Sequence, residues 1–389
     1  MLSERVMGIS PSATISLNAK AKELAKSGEK VFNFTVGEPD FNTPENIQNA
    51  AIEAIKRNES HYTPSAGIAE LRKAIVQKFR RENNIDYAEN QIVVSNGAKD
   101  SLYNISMALL NPGDEVIIPK PAWVSFKEQV KMAGGKPVFV ETDEKFRPIP
   151  EEIAKAAKKK TKYLILNYPS NPTGATLSKN DLKRIADAAL EKNFIVVSDE
   201  VYEHFLYDGK THTSFASLSE EVKDITITVN AVSKSYAMTG WRIGFLACRT
   251  EISNAISDMQ SHSISAPCSI AQWAAVEALN GKQESVGKML QEFDSRRKYV
   301  FRHLNEIDGI KCTEPEGAFY VFPNIEGTFN RKIKDSVAFC EKMLDEARVA
   351  LVPGEAFEAP GFVRISFAAS IEDLKAGIER IKETVKKMK

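Results

Sequence analysis

The sequence predicts an α/β fold built on an open, largely parallel sheet, joined to a smaller α+β lobe. Between residues 90 and 250, seven short apolar runs alternate with amphipathic stretches. The flanking regions carry long helical patterns with few strand-like runs. At 389 residues the chain also exceeds what one hydrophobic core usually organises, so two lobes are expected.

The seven runs are Gln91–Ser95, Glu115–Pro119, Pro137–Val140, Tyr163–Asn167, Phe194–Ser198, Ile225–Asn230 and Ile243–Ala247. Each is rich in Val, Ile, Leu or Phe, and most are bounded by Gly, Pro, Asn or Asp, as strands buried on both faces are. Helical stretches separate several of them. In Ser178–Lys192, Ser178 and Asp181 are placed to cap the first turn. Strands joined by helical crossovers pair in parallel, with strand ends aligned on one edge of the sheet. On the flanks, residues 12–28 and 44–84 read mostly as helix. Beyond Ser285, helices reaching Glu306, then Lys334–Ala347 and Ile371–Lys387, surround strand-like Ala318–Phe322 and Phe362–Phe367. No repeat, low-complexity tract or flexible linker divides these regions, so the lobes are expected to pack closely.

Composition narrows the function. Lys+Arg and Asp+Glu both number 52, and this balance argues against a nucleic-acid or anionic-membrane binder. The longest apolar stretches, such as Tyr163–Leu166 and Phe194–Val197, are far shorter than a membrane span. The start, Met-Leu-Ser-Glu-Arg, has no signal-peptide core, and four cysteines lack CxxC spacing; the expectation is a reduced, cytoplasmic protein. Five histidines show no HExxH or other ligand spacing, so no metal is expected and they read as ordinary surface or core residues. Neither GxxxxGK[ST] nor GxGxxG occurs, which disfavours an NTPase or a dinucleotide-binding dehydrogenase.

In open α/β sheets ligands bind beyond the carboxyl ends of the strands, so the polar residues there are the candidates. Asn96-Gly97-Ala98-Lys99 opens a helix whose free N–H groups could hold an anion, or it is an ordinary strand–helix turn. Asp199 ends a buried strand; by itself it reads as a helix cap, a metal ligand or a partner for a protonated ring nitrogen. Lys234, between Ser233 and Ser235, is either a solvated surface charge or, if desolvated beside Arg242, a Schiff-base nucleophile. The turn-rich Tyr168–Gly174 is a plain connector or a rigid loop that presents Asn171.

Taken together these segments resemble the class I aminotransferases of the fold type I pyridoxal-phosphate family. The resemblance is ordered and covers nearly the whole chain. It runs through Gly37-Glu38-Pro39-Asp40-Phe41, Tyr62-Thr63-Pro64-Ser65-Ala66-Gly67, Asn171-Pro172-Thr173-Gly174, Ser198-Asp199-Glu200-Val201-Tyr202 and Ser233-Lys234 to Arg242, ending with Gly317–Tyr320 and Val363–Ser366. It implies a large pyridoxal-phosphate-binding domain over 47–288 with a mostly parallel seven-stranded sheet. Residues 1–46 would be an N-terminal arm and part of the small domain, and 289–389 the C-terminal small domain.

By the same resemblance Lys234 holds pyridoxal 5'-phosphate covalently and moves the proton at the substrate Cα. Asp199 pairs with the ring nitrogen, Asn171 and Tyr202 hydrogen-bond the phenolic oxygen, and Trp123 stacks on the ring. Gly97, Ala98, Lys99, Ser233 and Arg242 hold the phosphate. Tyr62 reaches the phosphate from a neighbouring subunit, which implies a homodimer with shared active sites. Arg364 binds the substrate α-carboxylate through its planar fork, beside Gly37, Trp123 and Asn171. Cis peptides are implied at Lys120–Pro121 and Asn171–Pro172. Many relatives carry Ser-x-Ser-Lys at the lysine; Ala231 here removes one phosphate-binding hydroxyl.

Ser12-Ala13-Thr14 and Lys99 are similar to the bacterial and archaeal aspartate aminotransferase branch, where the lysine recognises the distal carboxylate. Ser12, Thr14 and Lys99 are therefore expected to contact substrate, with 2-oxoglutarate as acceptor in a ping-pong cycle. Ser10, standing where prephenate users tend to carry a basic residue, argues against prephenate. Aromatic or alanine-type specificity is the main alternative. A pyridoxal-phosphate C–S lyase is the rival enzyme; a cofactor-sensing transcription regulator would need a DNA-binding extension for which the first 40 residues leave no room.

Overall fold

The computed structural model describes residues 2–10 and 13–388; the side chains of Glu4, Ala13, Thr14 and Ile15 lie outside that description. The expectations resting on Ser12 and on the Thr14 side chain therefore fall outside the described residues.

All seven predicted runs are strands of one sheet, shifted by no more than two residues at their ends. We number them β1 (Ile92–Ser95), β2 (Glu115–Pro119), β3 (Lys136–Val140), β4 (Thr161–Asn167), β5 (Ile195–Asp199), β6 (Thr226–Ala231) and β7 (Gly244–Ala247). The sheet order is β1-β7-β6-β5-β4-β2-β3, and only β7 runs against its neighbours. β1, β2, β5, β6 and β7 are buried along almost their whole length, because helices cover both faces. Parallel pairing aligns Asn167 with Asp199, and Ser95 and Ala231 both face Gly244 across β7. The polar residues predicted at strand ends thus share one edge.

The helix between β4 and β5, Lys179–Lys192, begins with the expected reciprocal cap. The Asp181 N–H donates to Ser178 Oγ at 3.2 Å, and the Ser178 N–H donates to Asp181 Oδ2 at 2.9 Å. It ends at Asn193, which takes a left-handed φ of 56°.

The C-terminal region carries the long helices Glu284–Asn305 and Ile371–Met388. A three-stranded antiparallel sheet joins Val352–Pro353, Val363–Ser366 and Tyr320–Val321 in that order. Near the N-terminus, Phe32–Asn33 pairs in parallel with Val349–Ala350, so Phe32 and Phe34 enter the C-terminal core. These two-residue strands are too short to show periodicity, and the sequence reading missed them. The predicted helix Lys334–Ala347 divides into an α-helix, Ser336–Lys342, and a wider π turn, Met343–Ala347, closed by Arg348 at φ 56°. Phe293 centres this core, with ring contacts to Phe41, Phe205 and Phe319 at 5.5, 5.2 and 5.4 Å.

Both expected cis peptides, Lys120–Pro121 and Asn171–Pro172, are present, and Tyr168–Pro169 is also cis. Among the described residues no helix is long and apolar enough to cross a membrane. Cys248 and Cys340 are buried as expected of small hydrophobes, whereas Cys268 is exposed and Cys312 half-buried; all four are free.

Candidate active site

A cavity of about 460 Å³ opens at the carboxyl edge of the sheet. β4, β5 and β6 deliver Asn167, Asp199 and Ala231 to its floor. The turn after β6 supplies Ser233 and Lys234, the segment before β7 supplies Arg242, and the helix after β1 supplies Ala98 and Lys99. Trp123, Asn171 and Tyr202 stand on loops after β2, β4 and β5. Gly37, after the strand Phe32–Asn33, and Tyr320 and Arg364, on the three-stranded antiparallel sheet, close its remaining side. Of the predicted site residues within the description, all line this cavity except Gly97 and Tyr62. Gly97 underlies the wall through its contact with Arg242.

Tyr62 is 96% exposed and lies in a separate surface depression with His61, Pro267 and Cys268. Nothing among the described residues covers it.

Lys234 Nζ donates to the Gly37 carbonyl at 2.5 Å. Burial pulls its pKa down to about 8; Glu38 works against that shift, while Arg364 and Arg242 add to it. Asp199 is pushed up to about 7, chiefly by burial and further by Glu200. The Val201 N–H, Lys234 and Asn167 act in the opposite sense. Tyr202 Oη and Tyr320 Oη lie 2.8 Å apart, and burial raises both phenols.

Arg364 is 2% exposed and has no carboxylate partner among the described residues. Its Nη1 donates to Asn171 Oδ1 at 2.9 Å and its Nη2 to the Thr35 carbonyl at 2.6 Å. Its Nε is buried without a partner. A buried guanidinium in this state calls for an incoming anion.

The helix Ala98–Leu109 points its N-terminus at the cavity, and the N–H groups of Ala98 and Lys99 have no intrahelical acceptor. The Gly97 N–H is already committed to the Ser95 carbonyl at 2.7 Å. Gly97 contributes space instead: at φ 84°, a Cβ there would meet Arg242 Nη2 at 2.2 Å. Gly244 likewise lets β7 pass the helix start, since a Cβ would lie 2.2 Å from the Ala98 nitrogen. Arg242 is fixed by bonds to the carbonyls of Thr239 at 2.8 Å and Asn96 at 3.1 Å. Lys99 Nζ sits 4.8 Å from the Trp123 ring centre, and burial, then Arg242, lowers its pKa.

Two carboxylate–histidine clusters lie beneath this site. Glu200 takes Ser198 Oγ, Ser214 Oγ and the Phe215 N–H on one oxygen, and His212 Nε2 at 3.0 Å on the other. Burial alone would raise Glu203, but Lys78, His204 and His212 hold it low; Lys78, Asn83 and Asn230 all donate to it. His212 is therefore a partner of buried acids rather than an isolated surface residue. Sequence reasoning gave no role to Asn167, Glu38 or Tyr320. Their membership depends on contacts between distant segments, although Asn167 closes a strand at the ligand-binding edge.

The family model described as "Aminotransferase class I and II" matches residues 29–381. A Bacillus sp. (strain YM-2) protein named aspartate aminotransferase is 46% identical over 389 residues, 99% of each chain. An Aquifex aeolicus protein named probable aspartate/prephenate aminotransferase is 44% identical, covering 100% of this chain and 99% of its own. The solved structure of Thermus thermophilus aspartate aminotransferase with maleate superposes with a TM-score of 0.94 at 42% identity over 99% of both chains. The chain belongs to the class I and II aminotransferases, enzymes that use pyridoxal 5'-phosphate to move amino groups between amino acids and 2-oxo acids.

Proposed function

We propose that this enzyme takes the amino group of aspartate and passes it to 2-oxoglutarate. The observation that carries this reading is one cavity that, beside Lys234 and Arg242, presents two further cations, Arg364 and Lys99, neither ion-paired to a described carboxylate. A dicarboxylate offers one anion to each, whereas alanine or tyrosine leaves Lys99 unused. Many of the similar proteins carry aspartate in their names, which supports the choice.

The residues present fit the cofactor. The Ala98 and Lys99 N–H groups, Ser233 and Arg242 would hold its phosphate, in space that a side chain at Gly97 would fill. Trp123 would cover the ring, and Asp199 would hold a proton on the ring nitrogen. Asn171 Oδ1 is taken by Arg364, so its Nδ2 is the group left to donate to the phenolic oxygen, together with Tyr202. When bound, the cofactor supplies a carbonyl that accepts the amino group and a ring that takes up electrons from the substrate Cα.

Lys234 does the rest. Its lowered pKa leaves part of the population neutral at physiological pH, as a nucleophile and a base both require. Once displaced by substrate, the same amine takes the proton from Cα and returns it on the other side of the transfer. Arg364 orients the α-carboxylate with Asn171 and Gly37 beside it, and the small-lobe residues exclude water. We also read the enzyme as a homodimer in which exposed Tyr62 reaches the partner's phosphate site. Residues 47–288 then form the cofactor domain, with 1–46 and 289–389 supplying the arm and the small domain.

The test offers the holoenzyme aspartate, tyrosine, alanine and prephenate (each with a suitable partner) and follows the cofactor's visible spectrum. Aspartate is expected to convert the cofactor fastest, and Lys99→Met to cost about tenfold or more in kcat/KM for aspartate with little change for alanine. Equal loss for both substrates, or conversion by tyrosine alone, overturns the aspartate reading. Sedimentation measures the dimer.

A further inference from the structure

We propose that Asn167 is a positioning residue for Asp199, its amide holding the carboxylate ionised and aimed into the cavity. The inference rests on the reading of Asp199 as the partner of the cofactor's ring nitrogen.

Asn167 and Asp199 are register partners on the adjacent parallel strands β4 and β5, so their side chains leave the sheet on the same face. Asn167 is 8% exposed and Asp199 5%, so water competes little for either. Asn167 Nδ2 donates to Asp199 Oδ2 at 3.1 Å. The other end of the amide settles which atom faces the acid. Asn167 Oδ1 accepts from the Asn171 backbone N–H at 2.9 Å. A backbone N–H can only donate, so oxygen must sit there and nitrogen must face Asp199. A flipped amide would set oxygen against a carboxylate and N–H against N–H.

The remaining Asp199 oxygen receives only a long bond, 3.4 Å from the Val201 N–H. Asn167 is thus the firm donor to this acid, and it fills one oxygen while leaving the other able to accept from a ligand. Charged and titratable groups around Asp199 are Glu200 on the same turn, Lys234 from the turn after β6, and Tyr202. Glu200 disfavours the ionised form, so a neutral donor locked by the backbone has a definite task there.

A double-mutant cycle tests this by the dissociation constant of pyridoxal 5'-phosphate from apo-protein, read by absorbance, in wild type, Asn167→Ala, Asp199→Ala and the double variant. Asn167→Ala is expected to weaken binding about tenfold or more in the wild-type background and less than twofold beside Asp199→Ala. Its acid-side loss of affinity should also move to higher pH, because the carboxylate has lost a donor. Circular dichroism and melting of the apo-proteins check folding, and Asn167→Ser replaces the alanine variant should that one not fold. Equal weakening in both backgrounds, or none at all, overturns the role of Asn167. An unchanged constant in Asp199→Ala alone overturns instead the reading of Asp199.

Discussion

The lysine's reactivity is the most direct consequence of its burial. With a pKa of about 8 rather than 10.5, the neutral fraction of Lys234 at pH 7 is about 9%, against about 0.03% for a solvated lysine. At equal access, that is roughly a 300-fold advantage. Trace acetylation of the apo-protein between pH 6 and 11, with peptide mass spectrometry, reads each lysine separately. Labelling of Lys234 should rise about tenfold per pH unit up to a plateau near 8, well below where a freely solvated lysine levels off. Glu38→Gln sharpens the test. The Glu38 charge favours the ammonium, so its removal should move the midpoint further down. Glu38 also accepts from Thr239 Oγ1 at 2.7 Å, a bond that glutamine can keep, so the variant changes charge more than geometry. A wild-type midpoint alongside the solvated lysines, or an upward shift in Glu38→Gln, would refute the electrostatic account.

Three further outcomes are expected. Arg364→Lys keeps a charge but loses the fork that spans Asn171 and Thr35, so KM for amino acids should rise about tenfold to a hundredfold with cofactor affinity nearly unchanged; steady-state kinetics and an absorbance titration separate the two. Gly97→Ala places a Cβ against Arg242 at a positive φ, so the apo-protein should bind cofactor about tenfold more weakly, measured by the same titration. Phe293→Ala empties the centre of the aromatic cluster and should cost about 3–5 kcal/mol in urea unfolding, with an unchanged spectrum of the bound cofactor below the transition.

What the sequence revealed follows the range of the interactions. Most of the seven strands were legible because a strand buried on both faces must be a continuous apolar run, and composition alone displays that; the edge strand β3, only partly buried, still shows Pro-Val-Phe-Val. The capped start of Lys179–Lys192 was legible because Ser178 and Asp181 are three residues apart. Phe32–Asn33 was not, since its partner Val349–Ala350 lies at the other end of the chain. The site divides in the same way. Lys234, Asp199, Asn171 and Arg364 stood out through an ordered set of motifs, and the structure gathers them around one cavity. The Asn167–Asp199 bond depends on the register of two strands, and the Tyr202–Tyr320 contact on how the C-terminal antiparallel sheet docks against the turn after β5. Neither register nor docking is written in a local pattern.

The distribution of charge sets these residues apart from many others of the same types. The turn Asp199–Glu203 carries three buried acids. Glu200 is committed to His212, two hydroxyls and a backbone N–H, and Glu203 to Lys78, Asn83 and Asn230. Of the three, only Asp199 has an oxygen whose single described bond is as long as 3.4 Å, and Asp199 is the one that lines the cavity. The cations sort by the same rule. Arg296 is neutralised by Asp40 and Glu292, and Arg297 by Asp208, Asp294 and Glu314. Lys234, Arg242, Arg364 and Lys99 face the cavity, and none is ion-paired to a described carboxylate. Arg364 is buried and Lys234 half-buried, while Lys99 and Arg242 are exposed, so the cost of burying a cation without a counter-charge falls on the first two. On the proposed reading a phosphate and a dicarboxylate supply the missing anions, so that binding of cofactor and substrate completes an electrostatic balance that the folded chain leaves open.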